Sequence, residues 1–176
     1  MNGERATIYL AHGASGSAES MRPHVEGLRR RGLQAQAVGL PVGKAERAIA
    51  AYRTQVEVDL SLAVIGGHSF GGRVASLLAA QEAPRGLVLL SYPLHRPGHP
   101  HEQRMEHWSH ISCPVLLLSG EADPFARIDL LRSASKLLPN AELVTYERIG
   151  HGLTKVHDDA LDRVAAFVRS ISAGAG

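Results

Sequence analysis

The sequence holds one cysteine in 176 residues, Cys113, so an internal disulfide framework is excluded and a reducing compartment such as the cytoplasm is expected. Cys113 stands just before Pro114 and an apolar stretch, with no supporting motif, and reads as a buried structural thiol. No apolar run reaches the roughly 18 residues of a membrane span. Met1–Arg5 lacks the basic stretch and apolar core of a secretory leader, so no membrane association is expected. Charge of one sign is also scarce: the formal net charge is +2, and the only basic run, Arg29-Arg30-Arg31, precedes Gly32, where a helix would end. Cations there complement the helix dipole, and without a larger basic patch nucleic acid is not an expected partner.

What remains is a composition of 44% apolar and 20% charged residues, that of a globular chain. No linker, repeat or low-complexity segment interrupts it. A single domain over residues 1–176 is expected, with Ser172–Gly176 as a frayed tail.

Short apolar runs bounded by Gly, Pro or Ser alternate with stretches long enough for amphipathic helices. The predicted strands are Ala6–Ala11, Gln34–Leu40, Leu62–Gly66, Gly86–Ser91, Val115–Ser119 and Glu142–Tyr146; the predicted helices are Ser20–Arg31, Ala45–Val56, Phe70–Gln81, Pro124–Leu138 and His157–Ile171. Strands apolar at consecutive positions, such as Leu87–Leu90, are those of a parallel sheet covered on both faces. Right-handed crossovers then give an α/β fold, an open doubly wound parallel sheet of about six strands with helices on both faces. One connection breaks the rhythm. Tyr92–Ile111 carries three prolines and five histidines, with a short helix predicted near Glu102–Trp108.

The strongest chemical signal is Gly67-His68-Ser69-Phe70-Gly71, placed between an apolar strand and a helix. A nucleophile in such a sharp strand-to-helix turn sits on strained backbone, and only small residues two before and two after it avoid a clash. A phosphate-cradling loop is a poorer match, because Gly71 is followed by Gly72 and Arg73 rather than Lys and a hydroxyl residue. A serine nucleophile needs a base and a group that orients the base. Asp123 and His151 each follow a later strand, in the chain order Ser, Asp, His. Glu121 is the rival acid. The Phe70 N–H at the helix start is one expected oxyanion donor, and Ala14, in the His12-Gly13-Ala14 turn after the first strand, is the other. Candidate substrate contacts are His12, His68, Tyr92, His95, Arg104 and His107. Arg104 and His107, three apart on the predicted short helix, would share a face toward the cleft or else pair with Glu102 or Glu106 at the surface. The histidines of the irregular connection lack a His-Glu-x-x-His pattern, so no metal is expected, and the triad chemistry calls for no cofactor.

These motifs resemble the α/β-hydrolase superfamily over nearly the whole chain. Leu10–Gly16, Gly66–Gly72, Ser91-Tyr92-Pro93-Leu94-His95, Arg104 with Glu106-His107, and Gly120–Phe125 further resemble the small hydrolase-like group that includes testis-expressed protein thirty and a subunit of the NSL chromatin complex. The resemblance implies a minimal α/β-hydrolase fold without the two leading strands and without a cap domain. It also implies a serine hydrolase acting on a small acyl ester or thioester, with a hydrolase-like scaffold of little or no activity as the alternative. A homo-oligomer stays open.

Overall fold

The computed structural model describes residues 6–173. Six strands, β1 (Thr7–Ala11), β2 (Gln34–Val38), β3 (Val64–His68), β4 (Gly86–Leu90), β5 (Val115–Gly120) and β6 (Ala141–Tyr146), form one sheet in the order β2-β1-β3-β4-β5-β6. Every pairing is parallel. Because β1 lies between β2 and β3, the chain reverses its winding there, and the carboxyl ends of β1 and β3 open a crevice of the kind that binds ligands in open α/β sheets.

Successive strand residues point to opposite faces, so the sheet divides its apolar side chains between two cores. Ile8, Leu10, Val64, Val88, Leu90, Leu116 and Leu118 pack under α1 (Arg22–Arg30) and α5 (His157–Ala173). Tyr9, Ala11, Ile65, Leu87, Leu89, Val115 and Leu117 pack under α2 (Ala45–Thr54), α3 (Phe70–Gln81) and α4 (Ile128–Ala134). This is the doubly wound sheet the alternating pattern predicts, and no cap domain is added to it. No helix among the described residues is long and apolar enough to cross a membrane.

Several boundaries differ from the sequence pattern, each for a local reason. Leu62 belongs to a 3-10 turn, Leu60–Leu62, capped by the Asp59 side chain accepting from Ser61 N at 2.9 Å, so β3 starts later. It also runs on to His68, since Gly66 and Gly67 pair through their backbones with both neighbouring strands. The fourth helix does not begin at Pro124, because Asp123 Oδ1 accepts from Phe125 N at 2.8 Å and closes a tight turn there. The short helix expected near Glu102–Trp108 is absent: that stretch is turns leading to a 3-10 segment, Trp108–His110, so Arg104 and His107 share no helical face. At the C-terminus Ser172 and Ala173 are the last residues of α5, and the rest of the expected tail, 174–176, lies outside the described residues. The basic run is engaged within the fold, with Arg29 donating to Ala35 O and Arg31 pairing with Asp158 and Asp162.

Tyr52 ties the fold to the crevice. Its hydroxyl is fully buried, lies 2.7 Å from Gly66 O and 2.9 Å from Tyr9 O, and accepts from Gly66 N at 2.9 Å. It therefore joins α2 to β1 and β3 just before the Ser69 turn. Tyr52→Phe removes the buried hydroxyl that these backbone groups share, and a loss of about 0.5–1.5 kcal/mol per hydrogen bond, read in a denaturant melt, is expected.

Two histidines make stability pH-dependent. His24 has a pKa depressed to about 4 by burial first and by His157 second, and His107 is likewise depressed to about 4 by burial and by Arg73. The unfolded chain binds these protons below its ordinary value of 6.5, whereas the folded chain refuses them until about 4. Stability is thus full above pH 6.5 and falls as the pH drops toward 4, with His24 contributing on the order of 3 kcal/mol. His107 is more exposed and contributes less. Melting temperatures at pH 7.0 and 4.5 should show a smaller acid loss in His24→Phe than in the parent; equal losses would contradict the assignment.

Candidate active site

The site is built from the strand ends on either side of the winding reversal. β3 ends at His68, and Ser69 turns the chain into α3 with φ 50° and ψ −116°, a region that L-residues rarely occupy. The turn holds because nothing bulky surrounds it. A Cβ on Gly67 would lie 2.5 Å from Ala11 O, and one on Gly71 would lie 2.4 Å from the same atom, so both positions are closed to any side chain. The Ser69 N–H donates to Leu90 O at 2.9 Å, tying the turn to β4.

Asp123 follows β5 and His151 follows β6, and the structure brings both to Ser69. His151 Nε2 is 2.7 Å from Ser69 Oγ, and His151 Nδ1 is 2.8 and 3.0 Å from the two Asp123 oxygens. The Asp123 side chain is fully buried, while that of His151 keeps 24% of its surface exposed. A buried carboxylate is costly unless hydrogen-bonded; here it accepts from the imidazole and from Phe125 N. The Phe125 ring lies against the His151 ring at 4.3 Å between centroids and narrows its freedom to rotate. Glu121 is directed elsewhere: its Oε1 accepts from Arg132 and Thr145, each at 2.7 Å. The backbone N–H groups of Ala14 and Phe70 donate to no other described residue, and both residues line the same cleft as Ser69.

That cleft has a volume of about 770 Å³. Around Ser69 it is walled by Pro93 and Phe125 and by a charged rim of Lys44, Glu46, Arg47, Arg73 and Arg104. A smaller cavity of about 320 Å³ at the opposite end of β1, between Arg31 and Val168, brings no histidine to its serine, Ser172.

Of the six candidate substrate contacts, Arg104 lines the cleft, and the other five are engaged by the protein itself. His12 Nδ1 donates to Gly13 O at 2.7 Å and its Nε2 accepts from Leu40 N at 2.9 Å, which fixes the loop carrying Ala14. His68 Nε2 donates to His151 O at 3.2 Å and so holds the His151 backbone; burial lowers its pKa. Tyr92 is buried, donates to Arg104 O, and has its pKa pushed up to about 12 by burial. His95 donates to Arg96 O at 2.8 Å and accepts from Arg127 N at 2.9 Å. Ser76 Oγ gives its single proton to Arg73 O, so His107 Nε2, 2.7 Å away, is the donor in their pair. The irregular connection is therefore bolted into the core at its two ends, by Tyr92, Leu94 and His95 and by Trp108 and Ile111, and brings only Pro93 and Arg104 to the cleft.

Among the cleft residues that the motifs do not mark are Arg73 and Phe125. Arg73 is detectable in hindsight: four positions after Ser69 on a helix, it lies one turn on along the same face. Phe125 has no such signal, since its place depends on the Asp123 turn. On the surface, His99, His101 and Glu102 bring ligand atoms within 4.8 Å of one another, but the Glu102 carboxylate is already held by Arg96 at 2.6 and 3.0 Å.

Comparison with known proteins agrees with this architecture. The sequence profile described as alpha/beta hydrolase domain matches residues 4–173. Among solved structures, a monoacylglycerol lipase from Paleococcus ferrophilus superposes with a TM-score of 0.81 at 16% identity, over 96% of this chain and 95% of that one. A putative non-heme bromoperoxidase from Mycobacterium tuberculosis H37Rv gives 0.81 at 15% identity, over 97% and 94%. Esterase 2 from Thermogutta terrifontis, in a structure phosphonylated by sarin, gives 0.74 at 20% identity, over 96% and 84%. With a profile match across almost its entire length and the sheet order and strand-end serine turn described above, the chain belongs to the α/β-hydrolase family.

Proposed function

We propose that the chain is a serine hydrolase that cleaves a small carboxylic ester or thioester through an acyl-enzyme on Ser69. The observation that carries this reading is the unbroken set of contacts from the buried Asp123 through His151 to Ser69 Oγ, at 2.8 and 2.7 Å. His151 Nε2 takes the Ser69 proton as Oγ attacks the acyl carbon, then gives it to the departing alcohol or thiol. Asp123 accepts from Nδ1–H, which keeps the lone pair on Nε2 and stabilises the imidazolium that forms. The free N–H groups of Ala14 and Phe70 stabilise the negative oxygen, and a water activated by His151 releases the acyl group. Within the family, the Ser91–His95 and Arg104–His107 segments favour the small hydrolase-like group of testis-expressed protein thirty.

A fluorophosphonate probe tests the nucleophile directly, and the Thermogutta esterase phosphonylated by sarin is a precedent in the same fold. Labelling of the parent protein and none of Ser69→Ala is expected; labelling that survives the substitution would overturn the assignment. Ser69→Ala and His151→Ala should each lower kcat by about 10³-fold or more, and the double variant should be little worse than either, since the residues act in one step. Asp123→Asn should lose about 10²–10⁴-fold, whereas Glu121→Gln should retain activity. The opposite pattern would name Glu121 as the acid.

Substrate size follows from the missing lid. With the two ends of the Tyr92–Ile111 connection buried and no helical pair between them, little is left to enclose a long acyl chain, so each added methylene should bring much less than the roughly 0.8 kcal/mol of full burial. Across 4-nitrophenyl esters of two to sixteen carbons, each below its aggregation limit, kcat/KM should change little beyond the short esters and show no interfacial activation. A steep rise beyond eight carbons would reveal an enclosed acyl pocket.

A further inference from the structure

The charge around Ser69 is lopsided. Four cations, Lys44, Arg47, Arg73 and Arg104, line the cleft against one carboxylate, Glu46, although the whole chain carries a formal charge of only +2. Lys44 and Arg47 are exposed, so solvent and salt screen them. Arg73 and Arg104 are different. The Arg73 side chain is 22% exposed; one of its terminal nitrogens pairs with Glu46 at 3.0 Å, while its Nε is buried with no partner among the described residues. The Arg104 guanidinium, half-buried, makes no hydrogen bond or ion pair among the described residues; of the two carboxylates equally near it in sequence, Glu102 is taken by Arg96, and the exposed Glu106 does not pair with it.

Both side chains are carried on fixed backbone. Arg73 sits in the first turn of α3 after Ser69, and its N–H donates to Ser69 O at 3.0 Å. Arg104 is held at both backbone groups: its N–H donates to Leu94 O at 2.7 Å, and its carbonyl accepts from the buried Tyr92 hydroxyl. Burial and, second, the positive charge of Arg73 depress the Arg104 pKa, so each cation raises the cost of the other. Arg104, a partly desolvated cation without a counter-charge, is expensive to keep, Arg73 has only the exposed Glu46, and a planar guanidinium with open donors fits a carboxylate or phosphate.

We propose that Arg73 and Arg104 form an anion-binding subsite in the Ser69 cleft, and that the natural substrate is an ester or thioester bearing a carboxylate or phosphate group. The substrate part of this inference rests on the reading of Ser69 as nucleophile; the subsite itself does not. Two measurements keep the two apart.

The first needs no turnover. Titration calorimetry with glutarate, with its uncharged analogue glutaramide and with inorganic phosphate should show one or both anions binding at least about tenfold more tightly than glutaramide. Phosphate or glutarate binding the tighter identifies which anion the site prefers. Arg104→Gln and Arg73→Gln should each remove most of that margin, with Arg104→Lys in between because it keeps the charge and loses the fork. Anion binding no better than glutaramide, or unchanged in both glutamine variants, would overturn the subsite.

The second compares 4-nitrophenyl hydrogen adipate with 4-nitrophenyl hexanoate, six-carbon esters that differ in a terminal carboxylate. Their kcat/KM ratio should favour the adipate about tenfold or more and collapse in Arg104→Gln. A ratio near one in the parent protein would overturn the anionic acyl substrate. Arginine-dependent anion binding with no turnover of either ester would leave the subsite standing and refute the nucleophile.

Discussion

The backbone of Ser69 is the constraint on which the rest of the structure depends. A serine at φ 50° and ψ −116° is held there only because its neighbours leave no other path. The Ala11 carbonyl closes on Gly67 and Gly71 from one side, β4 takes the Ser69 N–H from the other, and α3 begins at once. The strain is met by the sheet on both sides, so the hydroxyl stands at the crevice instead of relaxing into the strand or the helix. Tyr52 reinforces the same point from below by bonding the backbone of Gly66.

Around this fixed oxygen, each further group comes from the end of a different parallel strand. β1 delivers the loop with Ala14, β5 the Asp123 turn, and β6 the His151 loop. None of these loops is long enough to need its own core, and each is pinned by one histidine or one short turn: His12 on Leu40, Asp123 on Phe125, His68 on the His151 carbonyl. The histidines near the crevice therefore divide into one facing Ser69 and several that hold loops still. A site with so few moving parts has its geometry set before a substrate arrives, which is the condition under which fixed dipoles act most strongly on a developing charge.

Much of this was legible in the sequence, and the limits are physical. Consecutive apolar residues at 62–65 and 87–90 marked buried parallel strands, the first beginning two residues early, and the glycines flanking Ser69 marked the strained turn, because each signal is local. The chain order of Ser69, Asp123 and His151 identified the three residues that the fold gathers. What escaped was partner choice. Whether His95 faces a ligand or Arg127, thirty-two positions on, is decided by how two loops meet. The helix expected at 102–108 failed for a similar reason: the buried Tyr92, Leu94 and Trp108 anchor the ends of the connection, and the Tyr92 hydroxyl takes a carbonyl that a helix would have used. The spacing of Arg73 from Ser69 puts it near the cleft, but its open Nε is decided by what surrounds it.

The proposed acyl transfer through Ser69 Oγ leaves a covalent mark at one position. Quenching the protein in acid during turnover of 4-nitrophenyl acetate and locating the acyl group by peptide mass spectrometry tests it most directly. A single acetyl group is expected on the peptide containing Ser69, absent from Ser69→Ala. Turnover with the acetyl group found on His68 or Cys113, or an equal adduct in Ser69→Ala, would contradict it.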